Sequence, residues 1–454
     1  MRNKKPTNKK MMNKENGLLT KNGVSLLIPF IMITSCFALW GFANDVTSPM
    51  VKAFSKIFRM SVTEGALVQV AFYLGYFVMA FPAALFIQKY SFKAGVLTGL
   101  GLYATGALLF IPAKFAGIYY PFLLAYFIMT CGLSFLETSC NPYIYCMGSD
   151  ETATQRLNLA QAFNPIGAVS GMYVAMYCVQ ARINPLSSAE RATLPAEEFN
   201  AIKDADLGVL IQPYVFIGLF IVLLFFAIKF TKMPMTGDTH TGKKLTQSLK
   251  ELFRMKNYRE GVVAQFFYIG AQVTCWTFII QYGTHILMSE GMGETEAEIL
   301  SQKFNIAALL LFTFSRFICT WFLKYIQPGR LLSILAVLGT IATAGVILLT
   351  NRGGLYCLVI ISGCMSLMFP TIYGIALRGV GDNVKIGGAG LIMSILGGSV
   401  FPPVQAGIID WGGTLLGLPA TNISFVIPLI CFIVVAAYGH RAYIRHNIKH
   451  DYNV

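Results

Sequence analysis

Residues 119–146 read YYPFLLAYFIMTCGLSFLETSCNPYIYC, and this apolar run contains one charged side chain, Glu137. The run is long enough to cross a bilayer as a helix, since about 20 apolar residues span the hydrocarbon core. An acidic residue at the centre of such a helix costs roughly 2.5–3.5 kcal/mol. A carboxylate kept at that depth usually faces a cavity, carries a proton or binds a polar ligand. The alternative is a structural Glu satisfied by its neighbours.

The composition of the whole chain agrees with a membrane protein. Of 454 residues, 12% are charged and 55% are hydrophobic, and the mean hydropathy is +0.61. Length alone would predict about three soluble domains, but the long apolar runs overrule that reading. The ten Cys lie mostly inside these runs without metal-ligand spacing, so neither a disulfide framework nor a metal site is expected. The first apolar run lacks a small-residue cleavage site and is predicted to be a span.

Twelve apolar segments follow one another along the chain, and they predict an all-α integral membrane protein. Their predicted bounds are 25–47, 64–87, 94–112, 118–146, 157–181, 209–230, 260–287, 301–323, 331–350, 355–377, 386–410 and 421–443. A basic connection after the sixth segment divides the spans into six plus six. The predicted organisation is a basic cytoplasmic tail, a six-helix half, a basic cytoplasmic linker, a second six-helix half and a short cytoplasmic tail: 1–24, 25–230, 231–259, 260–443 and 444–454.

The distribution of Lys and Arg predicts the orientation. An even number of spans puts both termini on one side, and that side receives most of the basic residues, including the tail from Arg2 to Lys21 and the linker from Lys229 to Arg259. The positive-inside rule therefore places both termini in the cytoplasm. The net charge of +14 is explained by this asymmetry, so a nucleic-acid partner is not expected. Membrane lipids are expected partners, with the basic tail on anionic headgroups.

Two further features accompany Glu137 and predict a polar pathway. Asp45 lies in the outer half of the first span, at a different depth from Glu137, which suits two stations on a proton path. The alternative for Asp45 is a helix end in the outer headgroup zone. Asn141 shares a helix face with Glu137, and Pro142 frees the carbonyl four residues earlier, which is tolerable beside a wet cavity.

The fifth and seventh spans carry side chains suited to a sugar. Amides at three-residue spacing predict a polar stripe on the fifth span, and amides alternate with aromatic rings on one face of the seventh. Amides donate and accept, as sugar hydroxyls require, while a ring covers the apolar face of a pyranose. The alternative for the stripe is a set of hydrogen bonds between helices. The predicted sugar-binding residues are Asn141, Asn158, Gln161, Asn164, Gln265, Tyr268, Gln272 and Trp276.

Arg316 is the only basic residue well inside a predicted span, the eighth. Three roles are open for it: a structural or gating ion pair, a cap on a bundle contact, or a ligand contact. Clusters of glycine, such as Gly99, Gly101 and Gly106 on the third span, favour close helix packing over ligand binding. The sequence contains no phosphate-binding loop, nucleophile elbow or metal-spaced His or Cys cluster, so no enzyme activity and no cofactor are expected.

These residues resemble the fucose–galactose–glucose:proton symporter family of the major facilitator superfamily. The resemblance covers all twelve spans and is densest in residues 69–76, 90–95, 136–142, 156–164, 264–272 and 369–372. It implies the major facilitator fold, with Glu137 as the carboxylate that couples proton to sugar. It also implies that Gln161 and Asn164 line the sugar site. The family's acidic residue on the first span falls here on Ser48, and Asp45 lies one turn earlier.

The sequence therefore predicts a secondary active transporter that imports L-fucose, or a closely related hexose, by proton symport and alternating access. The proton is the coupling ion, no cofactor is needed, and the monomer is expected to be functional. A glucose or galactose symporter of the same family, coupled to protons or sodium, is the first alternative. A membrane sugar sensor that binds without transporting is the second.

Overall fold

The computed structural model describes residues 17–21, 24–60, 67–186, 190–191, 193–234, 245–410, 412–415 and 417–451. Most of the basic tail, residues 1–16, lies outside these ranges, as do 235–244 of the linker. In the first half of the chain the helices are α1 (Leu27–Phe58), α2 (Leu67–Lys89), α3 (Phe92–Leu108), α4 (Phe110–Ala116), α5 (Tyr120–Cys146), α6 (Ala153–Gln161), α7 (Asn164–Val174) and α8 (Ala196–Phe230). A π-helical turn, Ala175–Gln180, follows α7.

In the second half the helices are α9 (Leu245–Arg254), α10 (Lys256–Ser289), α11 (Glu294–Phe322), α12 (Pro328–Leu348), α13 (Arg352–Met365), α14 (Met368–Ala376), α15 (Val384–Met393), α16 (Gly397–Asp410), α17 (Ala420–Ile423) and α18 (Val426–Asp451). The described structure also contains three 3-10 turns, Asp150–Thr152, Gly381–Asn383 and Ser394–Leu396. Two short antiparallel strand pairs are formed by Thr20–Lys21 with Val24–Ser25 and by Thr414–Leu415 with Leu418–Pro419.

Within the described residues, eleven segments are helical, long and apolar enough to cross a bilayer. They are Leu27–Thr47, Phe92–Ala116, Tyr120–Cys146, Asp150–Gln180, Ala196–Phe230, Lys256–Ser289, Ile299–Phe322, Pro328–Leu348, Arg352–Ala376, Gly381–Asp410 and Ala420–Arg445. Helix α2 supplies the remaining span, with a shorter apolar stretch at Leu74–Lys89. The all-α membrane fold predicted from the twelve apolar segments is confirmed.

Several helices extend beyond the predicted spans. Helix α8 begins at Ala196, thirteen residues before the predicted start, because Glu197 and Glu198 occupy its first turn. Acidic side chains there are favoured by the positive end of the helix dipole. The centroid of the Phe199 ring lies 3.5 Å from the guanidinium carbon of Arg59, the residue that follows the end of α1. The acidic connection between the fifth and sixth spans is thus partly helical.

The chain forms two compact units, and their division differs in one segment from the predicted halves. Unit 1 comprises Met1–Gly148 and Phe163–Thr241; unit 2 comprises Ser149–Ala162 and Gly242–Val454. Helix α6 therefore packs with the second half of the chain, on α11 and α14. The division into halves at 25–230 and 260–443 stays a prediction.

Close helix crossings in unit 1 depend on glycine. A Cβ atom on Gly41 or Gly167 would collide with the backbone of the partner helix at the α1–α7 crossing. Gly99 meets the carbonyl oxygen of Gly132 where α3 crosses α5, and a Cβ there would lie 2.9 Å from that oxygen. Small residues permit such crossings in membranes, where helices gain little from hydrophobic burial. The packing role predicted for Gly99 therefore agrees with its surroundings, whereas Gly101 faces open space.

Candidate substrate and proton site

Glu137 lies on α5, a helix that is buried along most of its length in unit 1. Its side chain is 7% exposed. No residue that the structure describes donates a hydrogen bond to its carboxyl group or forms an ion pair with it. Burying a lone carboxylate is costly, whereas the neutral acid is far cheaper to bury. A structural Glu would be expected to have such partners, and none is found among the described residues; the proton-coupling role of Glu137 stays a proposal.

The residues after Glu137 adjust the helix backbone. The side-chain amide of Asn141 donates to the carbonyl oxygen of Glu137 at 2.9 Å, so it acts on its own helix in this structure. Pro142 has no N–H for the carbonyl of Thr138, and the Thr138 hydroxyl is buried without a hydrogen-bond partner among the described residues. This turn therefore holds unsatisfied polar groups within one residue of Glu137. Polar groups so placed are suited to water or a ligand hydroxyl.

Asp45 is half-buried on α1. It lies one helical turn beyond Gly41, where α1 crosses α7 against the backbone of Asn164. Ser48, the position at which the family places its acid, has a side chain outside the described residues. The proton-coupling role of Asp45 stays a proposal.

The helix that carries the predicted amide stripe is interrupted. Helix α6 ends at Gln161 and α7 begins at Asn164, while the two residues between them, Ala162 and Phe163, keep right-handed helical backbone angles. Pro165 causes the break, because it lacks the N–H that would bond to the carbonyl of Gln161. Asn158, Gln161 and Asn164 therefore flank one interruption of the helix, and the single stripe stays a prediction. Discontinuous helices of this kind form the substrate sites of many transporters.

Two of these amides are engaged by neighbouring helices. The Asn158 side chain donates to the hydroxyl of Thr371 on α14 at 3.1 Å and to the carbonyl oxygen of Thr154 at 2.9 Å. Asn164 donates to the carbonyl oxygen of Phe37 on α1 at 3.2 Å. The alternative considered for the stripe, hydrogen bonds between helices, thus describes both residues in this structure. Sugar binding by either amide would require it to exchange partners.

On α10, Gln265 differs from the other predicted ligands. Its side chain is fully buried, and neither its amide nitrogen nor its amide oxygen has a hydrogen-bond partner among the described residues. Tyr268 donates to the carbonyl oxygen of Met365 at 3.2 Å, and Trp276 donates to the Ser362 hydroxyl at 3.2 Å. Gln272 is half-buried. The polar atoms of the aromatic residues are therefore used by α13, whereas the amide of Gln265 is available.

Arg316 on α11 is 3% exposed and binds backbone rather than carboxylate. Its Nε donates to the carbonyl oxygen of Ser366 at 2.5 Å, and its Nη1 donates to that of Gln161 at 2.8 Å. Its guanidinium carbon lies 4.5 Å from the ring centroid of Phe312. Among the described residues no carboxylate lies within ion-pair distance, so the ion pair considered for Arg316 finds no partner there. Its gating role stays a proposal.

Sequence reasoning did not identify the acceptors of Arg316. Neither Ser366, which accepts from Arg316, nor Thr371, which accepts from Asn158, is among the predicted site residues. A signal was present: Pro165 and Pro370 each follow one of the two accepting carbonyls by four residues. The sequence alone does not connect either proline with Arg316, because the contacts join residues far apart in the chain.

A twelve-span helical fold with a buried carboxylate and helices broken at prolines defines a membrane transporter. The chain belongs to the Major Facilitator Superfamily, whose sequence profile matches residues 31–402. It is 47% identical to the L-fucose-proton symporter of Haemophilus influenzae over 426 residues, which cover 92% of this chain and 97% of that protein. These matches confirm the family resemblance that the motifs predicted.

Two further similarities bear on fold and cargo. A crystal structure of the Escherichia coli fucose:proton symporter has a TM-score of 0.82 and 30% sequence identity, and the alignment covers 91% of this chain and 98% of that one. The glucose/galactose transporter of Brucella abortus is 28% identical over 409 residues, covering 90% of this chain and 92% of that protein. The higher identity is thus to the L-fucose symporters.

Proposed function

We propose that this chain is a secondary active transporter that imports L-fucose, or a closely related hexose, together with protons. Similarity over nearly the full length of an L-fucose-proton symporter supports the cargo and the coupling ion. One structural observation carries the mechanism: Glu137 is buried without a hydrogen bond or ion pair to any described residue. Such a group is stable when protonated and costly when charged, which is the property a proton carrier needs.

In the proposed cycle, Glu137 is protonated while the site is open to the outside. L-Fucose then binds to amide and aromatic groups of the fourth, fifth and seventh spans. Neutralising the carboxyl group lowers the cost of the occluded state. Opening to the cytoplasm hydrates Glu137, which releases its proton, and the sugar leaves. The sugar's contacts must differ between the two open states, because a ligand with equal affinity for both states does not shift the equilibrium between them.

The proposed ligand set keeps every candidate from the sequence. Proton coupling is assigned to Glu137 and Asp45. Sugar binding is assigned to Asn141, Asn158, Gln161, Asn164, Gln265, Tyr268, Gln272 and Trp276. Some of these side chains already donate hydrogen bonds within the protein in this structure. We propose that they exchange those acceptors for the sugar when it enters.

The proposed setting is the bacterial inner membrane with both termini in the cytoplasm. The excess of Lys and Arg in the tail and linker supports this orientation. We further propose that the monomer is functional, that lipids contact the basic tail, and that the proton is the coupling ion without a cofactor or catalytic centre.

Substrate-resolved uptake into proteoliposomes tests the cargo. Labelled L-fucose is expected to accumulate under an inward proton gradient, and unlabelled L-fucose is expected to compete far better than glucose or galactose. Equal or stronger competition by glucose and galactose would favour the second candidate, the function named for the Brucella abortus relative. Binding of sugar without any exchange would identify a sensor.

A further inference from the structure

Two prolines leave backbone carbonyls without their helical partners. In an α-helix the carbonyl of residue i accepts from the N–H of residue i+4, and proline has no N–H. Pro165 therefore frees the carbonyl of Gln161 in the fifth span, and Pro370 frees that of Ser366 in the tenth. Both carbonyls lie at helix interruptions, where α6 ends at Gln161 and α13 ends at Met365. A freed carbonyl inside a membrane protein needs another donor.

Arg316 supplies the donors for both carbonyls. Its Nη1 lies 2.8 Å from the oxygen of Gln161, and its Nε lies 2.5 Å from the oxygen of Ser366. The planar guanidinium carries five N–H groups in a fixed fork, so one side chain can serve two acceptors. An arginine facing carbonyls rather than a carboxylate is explained if its function is to join these two helix breaks.

The same contacts hold a segment of the first half on the second. Segment Ser149–Ala162 belongs to unit 2, whereas the chain before and after it belongs to unit 1. Near the Arg316 contact, Gln155 donates to the carbonyl oxygen of Thr320 at 3.3 Å, and Asn158 donates to the Thr371 hydroxyl at 3.1 Å. Segment Ser149–Ala162 is therefore held within unit 2 by hydrogen bonds to both α11 and α14.

We propose that Arg316 is a positioning residue that latches segment Ser149–Ala162 onto α11 and α14 through the carbonyls freed by Pro165 and Pro370. The latch rests on the proposed transport cycle: its hydrogen bonds are formed in this structure, and we expect them to break when the pathway opens to the cytoplasm. Both acceptors are neutral, so closure does not depend on the protonation of a carboxylate. Proton coupling at Glu137 and closure at Arg316 are therefore separate functions.

Cysteine accessibility tests the latch directly. Thr371 is fully buried on α14 beneath the segment, so a Thr371→Cys reporter in a cysteine-free background reacts with an impermeant maleimide only when the segment leaves. Arg316→Lys keeps the charge but loses the fork, and one lost charge-assisted bond is expected to increase labelling from the cytoplasmic side about 10-fold. Arg330→Lys, at an exposed arginine, is the matched control and is expected to leave the rate unchanged.

The prolines provide a second test that leaves Arg316 in place. Pro370→Ala returns an N–H that competes for the Ser366 carbonyl, so it is expected to raise labelling as Arg316→Lys does. Combined with Arg316→Lys it should add little, because both changes remove the same bond. Fully additive effects, or unchanged labelling in every variant, would overturn the proposal. Pro165→Ala tests the Gln161 carbonyl in the same way if the Pro370 variant does not fold.

The result of the labelling test does not depend on which sugar the protein transports. Labelling is measured without sugar or a proton gradient, so a failure of L-fucose transport would leave the predicted increase unaffected. Increased labelling from the outer side alone would show that the orientation is reversed, and would contradict closure toward the cytoplasm.

Discussion

At the scale of single residues, Glu137 and Arg316 are both buried ionisable side chains, but their surroundings differ. Arg316 is satisfied by two carbonyls and an aromatic ring, so it can stay charged while buried. Glu137 has no such partners among the described residues. The sequence identified both positions, because a charge in an apolar run is visible in composition alone. It could not identify the partners of Arg316, which come from two helix breaks far apart in the chain.

Glu137→Gln separates sugar exchange from proton-driven accumulation. The amide resembles the neutral acid in shape and charge but cannot release a proton. We expect counterflow exchange of L-fucose to continue, while accumulation under an imposed proton gradient is lost. Glu296→Gln, at an exposed carboxylate, is the control and should retain both activities. Full accumulation by the Glu137 variant would remove this residue from the coupling mechanism.

Gln265→Leu distinguishes a ligand from a structural amide. An unsatisfied buried amide costs about 1–3 kcal/mol, so an apolar side chain of similar size should maintain or raise the stability of the ligand-free protein. The affinity for L-fucose should fall at least about 10-fold, as expected when a buried hydrogen bond to a ligand is lost. Melting temperature and sugar affinity, each measured in detergent, check the two parts.

Tyr268→Phe tests a polar group that, unlike the amide of Gln265, already has a hydrogen-bond partner. It removes the donor to the carbonyl oxygen of Met365 and is expected to lower stability by about 1 kcal/mol. A Gln265 variant that loses stability and keeps its sugar affinity would show that the amide is structural.

At the scale of elements, apolar periodicity predicts the spans but conceals their interruptions. The fifth, tenth and eleventh spans look continuous in composition, yet the structure breaks them after Gln161, Met365 and Met393. The first two breaks precede a proline by four or five residues. Because many membrane helices accommodate proline through neighbouring donors, its presence alone does not reveal a break. The tertiary contact that accepts the freed carbonyl decides the outcome, and that contact is not readable from one sequence.

The α1–α7 crossing gives a prediction at this scale. A methyl group at Gly167 would collide with the backbone carbonyl of Ala38, which cannot move without displacing α1. Gly167→Ala is therefore expected to destabilise the protein by about 1–3 kcal/mol, as overpacking does. Thermal unfolding in detergent measures the effect. Gly101→Ala meets nothing within 4 Å and should be neutral or stabilising by about 0.5–1 kcal/mol; equal melting temperatures for the two variants would contradict the packing argument.

At the scale of the whole molecule, charge distribution and connectivity carry most of the information. The net charge of +14 reflects an excess of Lys and Arg in the tail, the linker and the short connections on one predicted side, and this excess supports the proposed orientation. The family and its fold were predictable, since twelve spans and several dense motifs each point to them. The assignment of segment Ser149–Ala162 to unit 2 was not, because it depends on side chains that meet only in the folded protein.

We propose that sugar and proton cross the membrane together and that Glu137 carries the proton. The most direct measurement is the external pH of lightly buffered, de-energised cells or vesicles when L-fucose is added without sodium. Proton symport predicts that the medium becomes more alkaline as L-fucose enters, and that Glu137→Gln abolishes the change. Entry of labelled L-fucose with no pH change, together with accumulation that requires sodium, would contradict the account.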